Sequence, residues 1–267
     1  MGVKVWAPRP AAPAPVEGAV PSPAVSAPAS APSTAPVAVA VRPPGAAVAP
    51  AAHPPTPAAG DPVTAESGRS ARPAGVETMD WPALQAAVAG CQACGLCRSR
   101  KNTVFGVGDV QADWMIVGEA PGENEDLQGE PFVGLAGQLL DNMLRAVGRS
   151  RTGQGAQGAY IANVLKCRPP ANRNPQPQEV AQCEPYLTRQ VALVKPRIIL
   201  AMGRFAVQSL LKTEEPIGRL RGRVHRYEGV PVIVTYHPAY LLRTPADKAK
   251  AWADLCLAMD TANIPLR

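Results

Sequence analysis

From about residue 79 onward, short apolar runs alternate with stretches whose apolar residues recur every three or four positions. The runs are ADWMIVG, GAYIANVLK, RIILAMG and PVIVTYHP; between them lie LAGQLLDNMLRAVG, EVAQCEPYLTRQVALVK and RFAVQSLLK. A short apolar run without polar alternation reads as a strand buried on both faces. The intervening stretches read as amphipathic helices; in the first, Leu135, Leu139, Leu140, Met143, Leu144 and Val147 form the apolar face. Strands that alternate with helices are joined by crossovers, which makes the strands parallel and covers both sheet faces. The expected fold class is α/β, a three-layer α/β/α sandwich with a short central parallel sheet. Further helices are expected over MDWPALQAAVAGC, where Pro82 suits a first turn, and over ADKAKAWADLCLAMD.

The first 77 residues have a different character. They are mostly Ala, Pro, Val, Ser and Gly, as in VPSPAVSAPASAPSTAPVAVAVRPPG. Proline every few residues stops both helix and sheet, and large side chains are too few for a core. A disordered Pro/Ala-rich tail is expected over 1–77, serving as a spacer or as a tether to an unidentified partner, with the folded domain over 78–267. The chain shows no secretory signal near its start and no apolar run of about eighteen residues, so neither export nor a membrane span is expected. A cytoplasmic, monomeric protein is the expectation. The formal charge of +6 is carried almost wholly by the folded part, which suits contact with a polyanion without proving it.

Six cysteines occur, three of them within CQACGLC. Cys91 and Cys94 form a C-x2-C; Cys167 and Cys183 form a wider pair. A cytosolic chain keeps few disulfides, so four thiolates that meet in space suit zinc or an iron–sulfur cluster. The wide second spacing fits a zinc ribbon poorly, and spacing alone leaves cluster, zinc and no metal all open. Cys97 reads as a neighbour that could replace Cys94. Cys256 reads as a small buried hydrophobe in the last helix.

In parallel sheets, ligands bind beyond the carboxyl ends of the strands. That rule brings GEAPG, NVLKCRPP and YHPAYLLR to one rim. GEAPGENEDLQGEPFVG lacks the GK[ST] ending of a phosphate loop and carries Glu119, Glu123, Glu125 and Asp126 near Phe132. Carboxylates suit a cationic transition state or the positioning of a water.

GEAPGENEDLQGEPFVGLAGQLLD, NVLKCRPPANRNPQPQE and HPAYLLR, in that order and together with the four cysteines, resemble the family 4 uracil-DNA glycosylases, the iron–sulfur type. The resemblance runs from about residue 80 to 260 and leaves the tail out. It implies hydrolysis of the N-glycosidic bond of uracil in DNA, and a 4Fe-4S cluster of structural character on Cys91, Cys94, Cys167 and Cys183. It also implies site roles. His237 would donate a hydrogen bond to uracil O2, and Asn163 would pair with O4 and N3–H. Phe132 would stack on the base, and Glu125 would wall off its C5 side. Glu119 and Ala120 would border uracil and the attacking water. Other uracil glycosylase families place Asp where this chain has Ala120, so the water-activating acid is expected at Glu119, with Glu123, Glu125 and Asp126 as rivals.

The base must leave the duplex to react. Tyr240, Leu241 and Leu242 are candidates for a wedge filling its place, with Leu241 as the first choice and Arg243 meeting phosphate. IGRLRGRVHRY carries Arg219, Arg221, Arg223 and Arg226 and reads as a backbone-gripping loop or hairpin, with Arg221 at its centre. The partner expected is uracil-containing DNA, single- or double-stranded. Rival readings are a non-catalytic zinc or iron–sulfur nucleic-acid-binding module, an electron-transfer protein, and a relative that bonds covalently to the abasic sugar. The last would need an extra basic insert, and none lies between Thr235 and Arg243.

Overall fold

The computed structural model describes residues 72–263. The expected tail up to residue 71 lies outside the described residues. Residues 72–77, also expected in the tail, pack on the domain: Val76 is buried beside Leu84, Val88 and Tyr186, and the Arg72 guanidinium donates to the Gln182 carbonyl at 3.4 Å.

The elements in chain order are α1 (Trp81–Ala89), β1 (Val107–Gly108), β2 (Trp114–Gly118), α2 (Glu123–Gln128), α3 (Leu135–Ala146), β3 (Ala159–Asn163) and α4 (Pro177–Val194). They continue with β4 (Ile198–Met202), α5 (Arg204–Leu211), α6 (Ile217–Leu220), β5 (Val224–Tyr227), β6 (Val230–Thr235), α7 (Pro238–Arg243) and α8 (Lys248–Asn263). Asp80 caps α1 by accepting from the Ala83 amide at 3.0 Å, and Pro82 occupies its first turn, where a missing N–H costs nothing.

One six-stranded sheet has the order β1-β3-β2-β4-β6-β5. The four inner strands are parallel, as expected; β1 and β5 are antiparallel edges. The sheet is therefore mixed, not wholly parallel. Both edges escaped the sequence reading for physical reasons. β1 is two residues long, and β5 is mostly solvent-facing, with His and Arg obscuring its apolar alternation. β5 and β6 form a hairpin closed by Glu228 and Gly229, both at positive φ.

Every residue of β2, β3 and β4 is buried. Alternate side chains serve opposite faces. Met115 and Val117 join Val191 of α4 and Val207 of α5 in one core; Trp114 and Ile116 join Leu140 of α3 and Leu255 of α8 in the other. The three layers follow from that division. Burying a single such side chain contributes about 1.5–3 kcal/mol. No helix among the described residues is long and apolar enough to cross a membrane.

Among the parallel strands, chain order starts at β2, moves to β3 on one side and then to β4 on the other. The sheet thus has its switch point at β2, where a crevice opens beyond the carboxyl ends.

Candidate active site

A cavity of about 500 Å³ occupies that crevice. Its lining includes Glu119, Ala120, Glu125, Phe132, Asn163, His237, Tyr240 and Arg243, so eight residues singled out in the sequence face one space.

Asn163 ends β3 with its side chain 1% exposed, and its Oδ1 has no hydrogen-bond partner among the described residues. An unpaired buried polar atom costs about 1–3 kcal/mol, a cost removed when a ligand supplies the missing group. Phe132 stands against the same wall, buried, and its ring stacks with the His237 imidazole at 5.3 Å between centroids and 25° between planes.

His237 is the N-cap of α7. Its Nδ1 accepts from the Ala239 amide at 3.2 Å. An Nδ1 that accepts carries no proton, so in the neutral ring the proton sits on Nε2. Burial pushes the imidazole down to about 4, with Glu125 pulling it up and Arg243 pushing it down. The ring is a neutral Nε2–H donor at physiological pH.

The acids divide by what holds them. Glu119 is pushed up to about 7 by burial, against the pull of Arg204 on α5. Glu125 accepts from the backbone amides of Gly122 (3.1 Å), Val133 (3.0 Å) and Gly134 (3.4 Å). Its oxygens are thus engaged, and it ties the start of α2 to the loop before α3. That makes it a clamp between these two segments. Asp126 is buried and accepts from the amides of Lys101 and Asn102, away from the cavity lining. Glu123 pairs with Arg168 at 3.7 Å.

Two residues expected at the DNA surface are elsewhere. Leu241 is 1% exposed and packs inward beside Leu139 and Leu255; its neighbour Leu242 is 42% exposed. The helical turn of α7 aims successive residues about 100° apart, and the apolar run LL did not reveal which one faced the core. Arg221 is 13% exposed at its side chain and is engaged internally. Its Nε pairs with buried Asp254 of α8 at 2.6 Å, Nη2 donates to the Lys250 carbonyl, and its guanidinium lies 4.8 Å from the Tyr236 ring centre. It braces the segment carrying His237 and has no fork left for phosphate. Arg243 does line the cavity.

The four cysteines come from the loop after α1, the loop after β3 and the interior of α4. Cys91, Cys167 and Cys183 are buried and Cys94 is partly so; all six cysteines are free. Cys94, Cys167 and Cys183 pack with Leu96 and Leu165. Burial pushes the Cys167 thiol up to about 11 and the Cys183 thiol up to about 12. The Arg100 guanidinium donates to Cys167 Sγ at 3.0 Å. Tyr186, fully buried beside Cys91, has a hydroxyl without a hydrogen-bond partner among the described residues. Thiols this buried stay protonated unless a cation draws the protons off. Among the described residues, no three His, Cys, Asp or Glu side chains gather tightly enough for one metal ion. The donor set is four cysteine thiols, a chemistry that both zinc and iron–sulfur groups use.

Sequence reasoning missed Lys166. It is buried completely between the cysteines and Asn163, its Nζ donating to the Asn163 carbonyl (2.8 Å) and to Gln190 Oε1 (2.6 Å). Gln190 in turn donates to the Phe105 carbonyl and the Tyr160 hydroxyl. A lysine beside a cysteine carries no signal of burial in the sequence.

Comparison with known proteins agrees with the geometry. The model of the uracil DNA glycosylase superfamily matches residues 105–256. A type-4 uracil-DNA glycosylase of Archaeoglobus fulgidus is 45% identical over 163 residues, covering 58% of this chain and 79% of that protein. One of Pyrobaculum aerophilum is 42% identical over 187 residues, 67% of this chain and 93% of its own. One of Thermotoga maritima is 41% identical over 162 residues, 60% and 82%. The chain belongs to the uracil DNA glycosylase superfamily and, within it, to the type-4 family.

Proposed function

We propose that this protein removes uracil from DNA by hydrolysing the bond between uracil N1 and deoxyribose C1′, leaving an abasic site as the first step of base excision repair. The observation that carries the reading is the unpartnered, buried Oδ1 of Asn163 in a cavity that also holds a neutral Nε2–H donor, His237.

The Asn163 amide has one acceptor and two donors. Oδ1 accepts from uracil N3–H, and Nδ2 donates to O4. Cytosine offers the reverse pattern and leaves buried groups unpaired, which supports discrimination of about 10⁴-fold. The Phe132 ring stacks on the flipped base.

As the bond breaks, uracil keeps the electron pair and its charge gathers at O2. The His237 Nε2–H donates to that oxygen. A donor fixed in advance in a dry site strengthens as charge develops, and its loss typically costs about 2.7–4 kcal/mol. The sugar becomes oxocarbenium-like and water adds at C1′. Glu119, beside Ala120, takes the water's proton when ionised. Leu242, in the role first assigned to Leu241, enters the vacated space, and Arg243 meets the backbone.

A 4Fe-4S cluster on Cys91, Cys94, Cys167 and Cys183 is supported by the four free thiols, the Arg100 donor and the orphan Tyr186 hydroxyl. When bound, the cluster cross-links the loop after α1, the loop after β3 and α4. The deciding experiment incubates purified protein with an oligonucleotide containing one uracil, then cleaves abasic sites with alkali. Strand scission and free uracil are expected, and Asn163→Ala should abolish both. Intact strands from folded protein would end the reading.

A further inference from the structure

We infer that Arg151 is a positioning residue for the base-stacking ring: its guanidinium locks Phe132 into the one backbone conformation that turns the ring into the cavity. The inference rests on the glycosylase reading of that cavity.

Phe132 has φ 55°, in the left-handed region that bulky side chains rarely adopt. Such a conformation persists only where its surroundings over-determine it. Here they do so from two sides. Arg151, in the loop after α3, reaches back with three donors at once: Nη2 to the Phe132 carbonyl (2.7 Å), Nη1 to the Pro131 carbonyl (3.0 Å) and Nε to Asp141 Oδ1 on α3 (2.8 Å). The other side is the bare Cα of Gly137, where a Cβ would fall 1.7 Å from the Phe132 carbonyl oxygen. The carbonyl is thus held between a cation and a helix backbone.

Only a planar fork satisfies two adjacent carbonyls and a carboxylate together; a lysine ammonium cannot span that geometry. The Arg151 side chain is 15% exposed, and all three of its nitrogens are engaged, so it is not a spare phosphate ligand. No motif marks it, because the loop that carries it lies outside the three rim segments.

The test uses the three phenylalanines of the chain. Labelling with 4-fluorophenylalanine gives one fluorine resonance for each, and Phe132→Leu assigns the relevant signal. In Arg151→Met the Phe132 resonance is expected to shift and broaden while those of Phe105 and Phe205 hold; Arg151→Lys should do the same in part. Single-turnover uracil release should fall on the order of 10²-fold in Arg151→Met, as expected for a misplaced positioning group. In a Phe132→Ala background the same substitution should cost less than about twofold, because the two act as a unit. An unmoved Phe132 resonance, a shift of all three resonances, or fully additive rate losses would overturn the inference. Should the wild type release no uracil, the glycosylase reading fails, and the fluorine result still decides the placement of Phe132.

Discussion

Gly118, the last residue of β2, lies directly beneath Asn163: a Cβ at 118 would come 2.4 Å from Asn163 Oδ1, and 2.6 Å from the Phe132 ring. The Asn163 amide and the Phe132 ring approach one another over the single position that carries no side chain. The strand backbone there would accept alanine; the space would not. Gly118→Ala should therefore fold, at a cost of about 1–3 kcal/mol from overpacking. Uracil release should fall on the order of 10²-fold as ring and amide are displaced. Thermal melts and single-turnover assays measure the two effects separately, and unimpaired turnover would mean that neither group touches the base.

His237 offers a test that separates binding from chemistry. A donor that strengthens only as O2 gains charge contributes to kcat more than to KM. His237→Ala should lower kcat by about 10²–10³-fold with a modest change in KM. The imidazole is held near 4, below its usual 6.5, so activity should show no loss from its protonation between pH 7 and 5. The same shift gives folding a sign. Because the unfolded chain binds the extra proton first, this contribution is full above about pH 6.5 and is lost as pH falls through about 4.

Much of this architecture was legible because burial on both faces leaves a simple trace. WMIVG, AYIAN and IILAM are continuous apolar runs, and each proved to be an inner strand with every residue buried. The rim followed from the rule that parallel strands end at a binding crevice. What stayed hidden was set by tertiary partners. Arg221 reads as a surface cation until Asp254, thirty-three positions later, is found against it. Leu241 and Leu242 are the same residue type side by side, and only the packing of α7 separates them. The clamp on Phe132 joins Arg151, Asp141 and Gly137, which share no motif.

The two leucines should respond differently to the same substitution. Leu241→Ala empties a packed site and should cost about 2–5 kcal/mol of stability, whatever the substrate. Leu242→Ala removes an exposed side chain, so the melting temperature should hold. If Leu242 fills the stack after the base leaves, its loss should slow release from duplex DNA far more than from single strands, where no stack must be opened. Equal slowing on both substrates would remove it from that role.

The cysteines allow a test by colour and by heat. Cys183→Ser should remove the brown absorbance near about 400 nm that an iron–sulfur cluster gives. It should also lower the melting temperature, since three chain segments lose their common tie. Cys97→Ser should keep both, as Cys97 is outside the proposed set. Chelation and oxidation of wild-type protein should reproduce the Cys183→Ser melt. A colourless wild type carrying zinc after anaerobic purification from iron-replete cells would replace the cluster with a metal ion.

Glu119 should set the alkaline-going limb of the pH profile. Burial pushes its carboxyl up to about 7, with Arg204 of α5 opposing, and only the ionised form accepts a proton from water. Release of uracil should rise with pH to a midpoint near 7, and Glu119→Gln should flatten that rise while lowering the plateau. Stability runs the other way. The folded state holds the Glu119 proton more tightly than the unfolded state, so this contribution is full below about pH 4.5 and is lost as pH rises through about 7. The acid is therefore ionised for catalysis in the range where its burial stabilises the fold least. Glu119→Gln should accordingly be more stable than wild type above pH 7 and little different below pH 4.5. Chemical denaturation across that range measures it. A wild-type rate that is flat from pH 5 to 9 would show that water attacks the sugar without this carboxylate.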